Sequence, residues 1–261
     1  MKYVNVKIGN DFNTIIKIEK NRYSIGTPII VQSKDDIEYG IITKIYSESE
    51  NVKKNESYIF LRYANSNDKK INQRNIIDSG KAFIKCRELI KKYKLPMKLI
   101  SAKYTFTKDQ LLFKFYSDDR VDFRKLAKDL AKIYHTRIEL RQIGIRDKAK
   151  EIGGCGQCGY ELCCKGFLEE FNSVSINMAK NQNIALNPNK INGICGRLLC
   201  CLKYEDSCYK NARKNLPKVG DNVDNKFGKG KVISVNPLMS KYKIINENDE
   251  IIECELNDSV K

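Results

Sequence analysis

One seven-residue string, used twice, constrains this chain more than any other feature. C-G-x-x-L-C-C runs from Cys158 to Cys164 and again from Cys195 to Cys201, so each copy offers a lone thiol followed by an adjacent pair. Cys155 and Cys208 flank the copies, and Gly156, Gly159 and Gly196 stand beside the lone cysteines, where the backbone must bend for several sulfurs to converge. Converging thiolates are what a soft transition metal or an iron–sulfur cluster requires. Neighbouring side chains diverge along a backbone, so each adjacent pair is expected to give one sulfur to a centre and the other to the core or to a second centre.

Zinc is the first rival, because four sulfurs suit it equally well. The usual zinc ribbon pairs two C-x2-C knuckles, whereas only Cys155 and Cys158 have that spacing here, and neither copy contains a histidine. A single cysteine is ordinary core material; eight of the ten within residues 153–209 are not explained that way. Disulfides are not expected, since no signal-peptide pattern opens this lysine-rich sequence. A thioredoxin-like pair at Cys155 and Cys158 lacks the strand-to-helix frame it would need.

Residues 3–46 carry short Val/Ile/Tyr runs that alternate with polar residues, broken at Gly9-Asn10, Gly26-Thr27-Pro28 and Lys34-Asp35-Asp36. Half-buried antiparallel strands in a small sheet or barrel have this pattern. The polar stretch 47–56 reads as a surface loop. Residues 57–64 read as a strand, Ile71–Tyr93 as a helix ended by Pro96, then two strands turn at Lys108-Asp109. Asp122 is placed to cap a helix reaching Tyr134, with Phe123, Leu126, Ala127, Leu130 and Ala131 on its apolar face, and 137–145 reads as a closing strand. The order β-α-β-β-α-β is the ferredoxin-like arrangement. Short Val/Ile strands after Lys214 suggest a small SH3-like barrel, with Cys254 buried in it. The expected fold class is therefore α+β in four parts: a β-rich unit over 1–56, a basic ferredoxin-like unit over 57–150, the cysteine-rich segment over 151–213 and the barrel over 214–261. Within the cysteine-rich segment, the excursion between the two copies is expected to fold back and bring Cys195 toward Cys158, so that both copies line one site.

At these residues the chain resembles the RicT (YaaT) family of bacterial regulatory iron–sulfur subunits with a polymerase-suppressor-type C-terminal domain. The resemblance rests on RVDFRKLAKDLA at 120–131, RIELRQIGIRDKAK at 137–150, GGCGQCGYELCC, and SINMAKNQNIALNPNKINGICGRLLCCLKYE at 175–205, with IGTPIIVQ and EYGIITKI before them. It implies a non-enzymatic, cytoplasmic partner of two small helical subunits, in a complex that binds 4Fe–4S clusters. That complex acts with the endoribonuclease RNase Y in processing polycistronic mRNA and affects sporulation, competence and biofilm formation. The family's cysteine pattern falls on Cys158, Cys163, Cys164, Cys195, Cys200 and Cys201 as metal ligands. Cys155 and Cys208 depart from that pattern and stand as additional candidate ligands from the residue reading alone.

Charge supplies a second candidate surface. The formal charge is +16, and residues 81–150 hold 20 Lys and Arg against 8 Asp and Glu. Such a block attracts a polyanion or an acidic partner. Arg120, Arg124, Arg137, Arg141 and Arg146 are the candidate contacts for phosphate or carboxylate, given the planar fork of guanidinium. Phe113, Phe115 and Tyr116 could stack on RNA bases, although alternate strand residues are expected to fill the core. His135, the only histidine, has no triad string near it, and neither a P-loop nor G-x-G-x-x-G is present, so no enzyme is expected. No apolar run approaches the roughly 18 residues of a membrane span. The alternative function is a zinc-stabilised RNA-binding adaptor. A redox enzyme would need a substrate or flavin site that the residues do not suggest.

Overall fold

The computed structural model describes residues 2–9, 12–18, 23–33, 36–46, 58–168 and 171–255, and the surface loop expected over 47–56 lies outside them. The chain divides into two compact units, Met1–Gly154 and Cys155–Lys261. Among the described residues no helix is long and apolar enough to cross a membrane.

The first unit opens with strands β1 (Lys2–Ile8), β2 (Phe12–Ile18), β3 (Pro28–Gln32), β4 (Ile37–Tyr46) and β5 (Ile59–Tyr63), all antiparallel in the order β2-β1-β4-β3-β5. Period-2 alternation sends Val4, Val6, Ile8, Ile16, Ile18, Ile29, Val31 and Ile42 to one buried face. The outer strands β2 and β5 approach each other, so the sheet curls into a half-barrel. Gly40 permits the tight pairing of β4 on β1, because a Cβ there would run into Val6 Cγ1.

β5 corrects the ferredoxin-like expectation. It pairs with β3 rather than joining the next sheet, and Tyr58, Phe60 and Tyr63 pack on the half-barrel core. The cause is β3, whose run Ile29-Ile30-Val31 is wholly buried and is bonded on both edges. The following sheet is left with three strands, β6 (Lys98–Tyr104), β7 (Gln110–Tyr116) and β8 (Arg137–Gln142), in that order. β6 and β7 are antiparallel, while β7 and β8 are parallel, joined by α2 (Arg124–Tyr134).

The helix α1 (Ser66–Lys92) starts ahead of the expected Ile71 because Asn65 and Asp68 form a capping box: each side chain accepts the other's backbone N–H. Arg62 donates to the same Asp68 carboxylate and holds its pKa below the usual carboxylate range. The sign follows: this stabilisation is present above the unfolded value near 4 and is lost as pH falls through the lowered folded value. Asn65→Ala is expected to cost about 1 kcal/mol, and Asp68→Asn to flatten that acid limb; thermal unfolding against pH reads both.

Farther along α1, buried Asn75 donates to the carbonyls of Thr105 and Phe106 at 3.1 and 2.9 Å, and Ser79 Oγ accepts from Tyr104 N at 3.0 Å. These bonds fix the helix on the β6–β7 turn. Ala82, Cys86, Leu89 and Ile90 then meet Leu111, Phe113 and Phe115 of β7 and Leu126 and Leu130 of α2 in one core. Burial pushes the Cys86 thiol up to about 12, so it behaves as an apolar core group. Asp122 lies one residue before the N-cap, Phe123, and its carboxylate accepts from Arg124 N at 3.1 Å. Ala131 of the expected apolar face is exposed. The strand expected over 137–145 ends at Gln142, and Gly144 introduces a further helix, α3 (Ile145–Ile152). Lys114 on the other face of β7 forms an ion pair with Glu151 of α3, which covers that face.

The second unit contains α4 (Cys163–Gly166), α5 (Ile176–Asn181), α6 (Pro188–Ile191) and α7 (Cys200–Arg213), followed by β9 (Asn222–Asn225), β10 (Gly228–Asn236), β11 (Lys241–Asn246) and β12 (Ile251–Glu255). The strands form an antiparallel meander, β12-β11-β10-β9. Among the described residues its outer strands do not pair, so it is a sheet with two edges rather than a closed SH3-like barrel. Val232, Val235, Tyr242, Ile244 and Cys254 form its core with Leu216. Cys254 is buried as expected, and its sulfur accepts from Asn225 Nδ2 at 3.1 Å. Asn183 ties the helical segment to the sheet by donating to Val235 O at 2.7 Å.

Candidate metal centre

The repeated string folds into the same shape twice. In the first arm, Cys155 to Cys164, a bridge joins Cys155 and Glu161, and Gly156 N donates to Tyr160 O at 2.8 Å. In the second, Asn192 to Cys201, the bridge joins Asn192 and Leu198, and Gly193 N donates to Arg197 O at 2.8 Å. Between the bridge residues the chain doubles back at Gly159 and Gly196, with φ of 81° and 76°. Only glycine enters that region without steric cost, so a glycine after each lone cysteine is a requirement of the turn. Leu162 and Leu199 then enter helix with nearly equal angles (φ −53°, ψ 126° and φ −55°, ψ 130°), placing each cysteine pair in a first helical turn.

The excursion between the arms does fold back, but in place of one site shared by Cys158 and Cys195, Cys158 neighbours Cys163 and Cys195 neighbours Cys164. α5 and α6 pack on α7 through Ala179, Ile191 and Leu202, with Met178, Ile184 and Leu198 around them. Buried Gln182 donates to Leu202 O at 2.7 Å, and Asn181 reaches Asp206, which is also paired with Lys210 at 2.7 Å. The arms themselves are joined by Gln157, whose amide donates to Asn189 O and Asn192 O at 2.9 and 3.0 Å. Phe167 and Tyr204 add an edge-to-face ring contact, centroids 4.9 Å apart, between the α4 end and α7.

This arrangement brings thiols of both arms together. Burial raises the pKa of Cys163, and Cys158 and Glu205 raise it further. Burial likewise raises Cys201, with Cys163 and Glu205 beside it. Burial raises Cys164, with Cys200, Cys195 and then Cys163 as its neighbours. Apart from the contact of Cys163 with its chain neighbour Cys164, the electrostatic contacts fall into two sets, Cys158–Cys163–Cys201 and Cys195–Cys200–Cys164. Exchanging each residue for its counterpart in the other arm converts the first set into the second. Each set takes a lone thiol and the first of a pair from one arm, and the second of a pair from the other. Adjacent cysteines therefore serve different sets, as diverging neighbours must. Among the described residues, no three Cys, His, Asp or Glu side chains are drawn tightly enough to clasp a single metal ion.

Cys155 and Cys208 are exposed, the first in the bridge that opens its arm and the second two turns beyond Cys201 on α7. Gln157 and Glu205 were not visible as site residues. Glu205 follows Cys201 by one helical turn, a relation that becomes readable only once α7 is known to begin at the cysteine pair.

The candidate arginines differ in burial and pairing. Arg124 and Arg141 are exposed but paired with Asp122 and Glu139, at 2.6 and 2.7 Å. Arg146 is buried in the first turn of α3, which removes it from the candidate surface, while Arg120 and Arg137 are exposed. Phe113 and Phe115 are fully buried, so neither can stack on a base, and Tyr116 hydrogen-bonds Asp118 at 2.5 Å. His135 is the exposed left-handed C-cap of α2.

A family model described as "PSP1 C-terminal conserved region" matches residues 59–143, and one described as "PSP1-like protein, third domain" matches 173–216, which includes the second arm and all of α7. An uncharacterized protein of Schizosaccharomyces pombe (strain 972) is 36% identical over 61 residues, 23% of this chain and 8% of that protein. No solved structure matches. "Stage 0 sporulation protein YaaT" of Bacillus subtilis (strain 168) is 44% identical over 230 residues, covering 86% of this chain and 82% of that protein. At that identity and coverage, the chain belongs to the YaaT (RicT) family.

Proposed function

We propose that this chain is a non-enzymatic regulatory subunit whose two arms hold iron–sulfur clusters, acting in the cytoplasm with partner subunits in RNase Y-dependent mRNA processing. The observation that carries the metal reading is the symmetry of the two thiol sets. Each has three sulfurs drawn from both arms, one short of the four that a 4Fe–4S cluster takes. A partner residue is the natural fourth. Zinc would need its thiolates about 3.8 Å apart, the edge of a tetrahedron with ~2.3 Å Zn–S bonds. A cluster places its own irons and sulfides between the thiolates, and so does not need them drawn together as a single ion does. Burial is the main cause that raises the pKa of Cys163, Cys164 and Cys201, with charged neighbours adding to it, and cationic iron would offset both by favouring the thiolates.

The regulatory half of the proposal rests on family membership: the relative's name makes it a sporulation protein. Its test is the affinity of the purified complex for RNase Y with the cluster present and after anaerobic removal by a chelator. Different affinities are expected. Equal affinities would detach the cluster from regulation.

A further inference from the structure

Gly80 is a glycine for which the described residues of its own unit show no need. It stands in the interior of the 27-residue helix α1, where glycine weakens a helix relative to alanine. Among the described residues, a Cβ added there would meet nothing within 4 Å. Around it Ile76, Ile77 and Ile84 are 64%, 53% and 52% exposed. Helical spacing puts them on one strip with Gly80, on the side away from buried Asn75, Ser79, Ala82, Cys86 and Leu89. A backbone notch between branched side chains is the shape complement of a crossing helix, since the small residue lets the axes approach and the isoleucines form the ridges. Exposed Lys69 and Lys70 lie toward one end of the strip, and exposed Arg87 and Lys91 toward the other. Of the acidic residues nearby, Glu88 is engaged by Lys85 at 3.1 Å and Asp78 by Lys108 at 2.5 Å.

We propose that this strip, centred on Gly80, docks an amphipathic helix of a partner protein whose apolar face is flanked by acidic residues. The basic groups at both ends select that occupant. A second copy crossing antiparallel at Gly80 would set Lys69 and Lys70 against Arg87 and Lys91, like charge on like. A nucleic acid would engage the cations and leave three isoleucines in water. The proposal stands apart from the metal reading, because no cysteine of the arms takes part in it.

The test uses the full chain and a labelled synthetic helix of Leu and Ala with Glu flanks, followed by fluorescence anisotropy. The Glu helix is expected to bind, more weakly as salt is raised, while a version with Lys in place of Glu does not. Gly80→Leu and Ile77→Glu are expected to weaken binding about tenfold or more, with the metal content of the protein unchanged. Ile77→Glu, at an exposed position, carries the readout if Gly80→Leu does not fold. Gly80→Ala is expected to raise the melting temperature of the free chain. Equal binding by wild type and Ile77→Glu, or binding of both synthetic helices alike, would overturn the proposal. So would a lower melting temperature for Gly80→Ala, which would make the glycine a need of the chain's own fold. A wild-type dimer in sedimentation that Gly80→Leu converts to monomer would put a second copy on the strip instead.

Discussion

Cys158→Ser and Cys195→Ser are each expected to remove about half of the bound iron and sulfide from the anaerobically purified complex, and the double variant nearly all of it. The two lone cysteines occupy equivalent places in the two arms, and each belongs to a different thiol set. A hydroxyl is a poor substitute for thiolate on a soft metal, so losing one of three sulfurs should empty that set and leave the other. The same logic separates the adjacent pairs. Cys164→Ser should behave like Cys195→Ser, although Cys164 lies in the first arm, and Cys201→Ser like Cys158→Ser. Iron and sulfide analysis of the four single variants reads this directly. If variants instead grouped by arm, Cys164 with Cys158, the crossed arrangement would be wrong. Cys155→Ser and Cys208→Ser, at exposed positions outside both sets, are expected to retain their iron.

Phe113→Ala is expected to be the most damaging substitution in the first unit, costing about 3–5 kcal/mol. Phe113 is fully buried on β7, the strand bonded on one side to β6 and on the other to β8. It contributes to the core where α1 and α2 meet the sheet, a region whose remaining side chains cannot close over so large a void. Because the chain divides into two compact units, the loss should appear as an earlier first transition in denaturant, with the second unit unfolding as in wild type. Two resolved transitions make a single unfolding free energy inappropriate. A uniform shift of both transitions would mean that the units unfold as one.

What the sequence disclosed follows from the range of the forces involved. Strands β1 to β4 were legible because their alternation of Val and Ile with polar residues is a local signal, and the half-barrel needs little else. The fate of β5 was not. Its residues suit a strand in either sheet, and the choice was made by the unsatisfied edge of β3, a long-range condition. The start of α1 was missed although Asn65 and Asp68 spell a capping box, since the polar residues between them carry no apolar period. α3 was hidden by the apolar run preceding it, which continues the strand pattern to Ile145. In the cysteine segment the repeat was readable from the sequence, and its spacing permitted the folding back, but the expectation of one shared site was not met. That the thiols form two crossed sets depends on α7 packing against the first arm, through contacts such as Phe167 with Tyr204.

The measurement that tests the account most directly is iron, sulfide and zinc analysis with a visible absorption spectrum, on protein purified anaerobically alone and with its partner subunits. Brown protein with matched iron and sulfide, fully loaded only when the partners are present, is the predicted result. Colourless protein carrying stoichiometric zinc would contradict it, since zinc is d10 and has no visible absorption, and would make the paired arms a structural clasp.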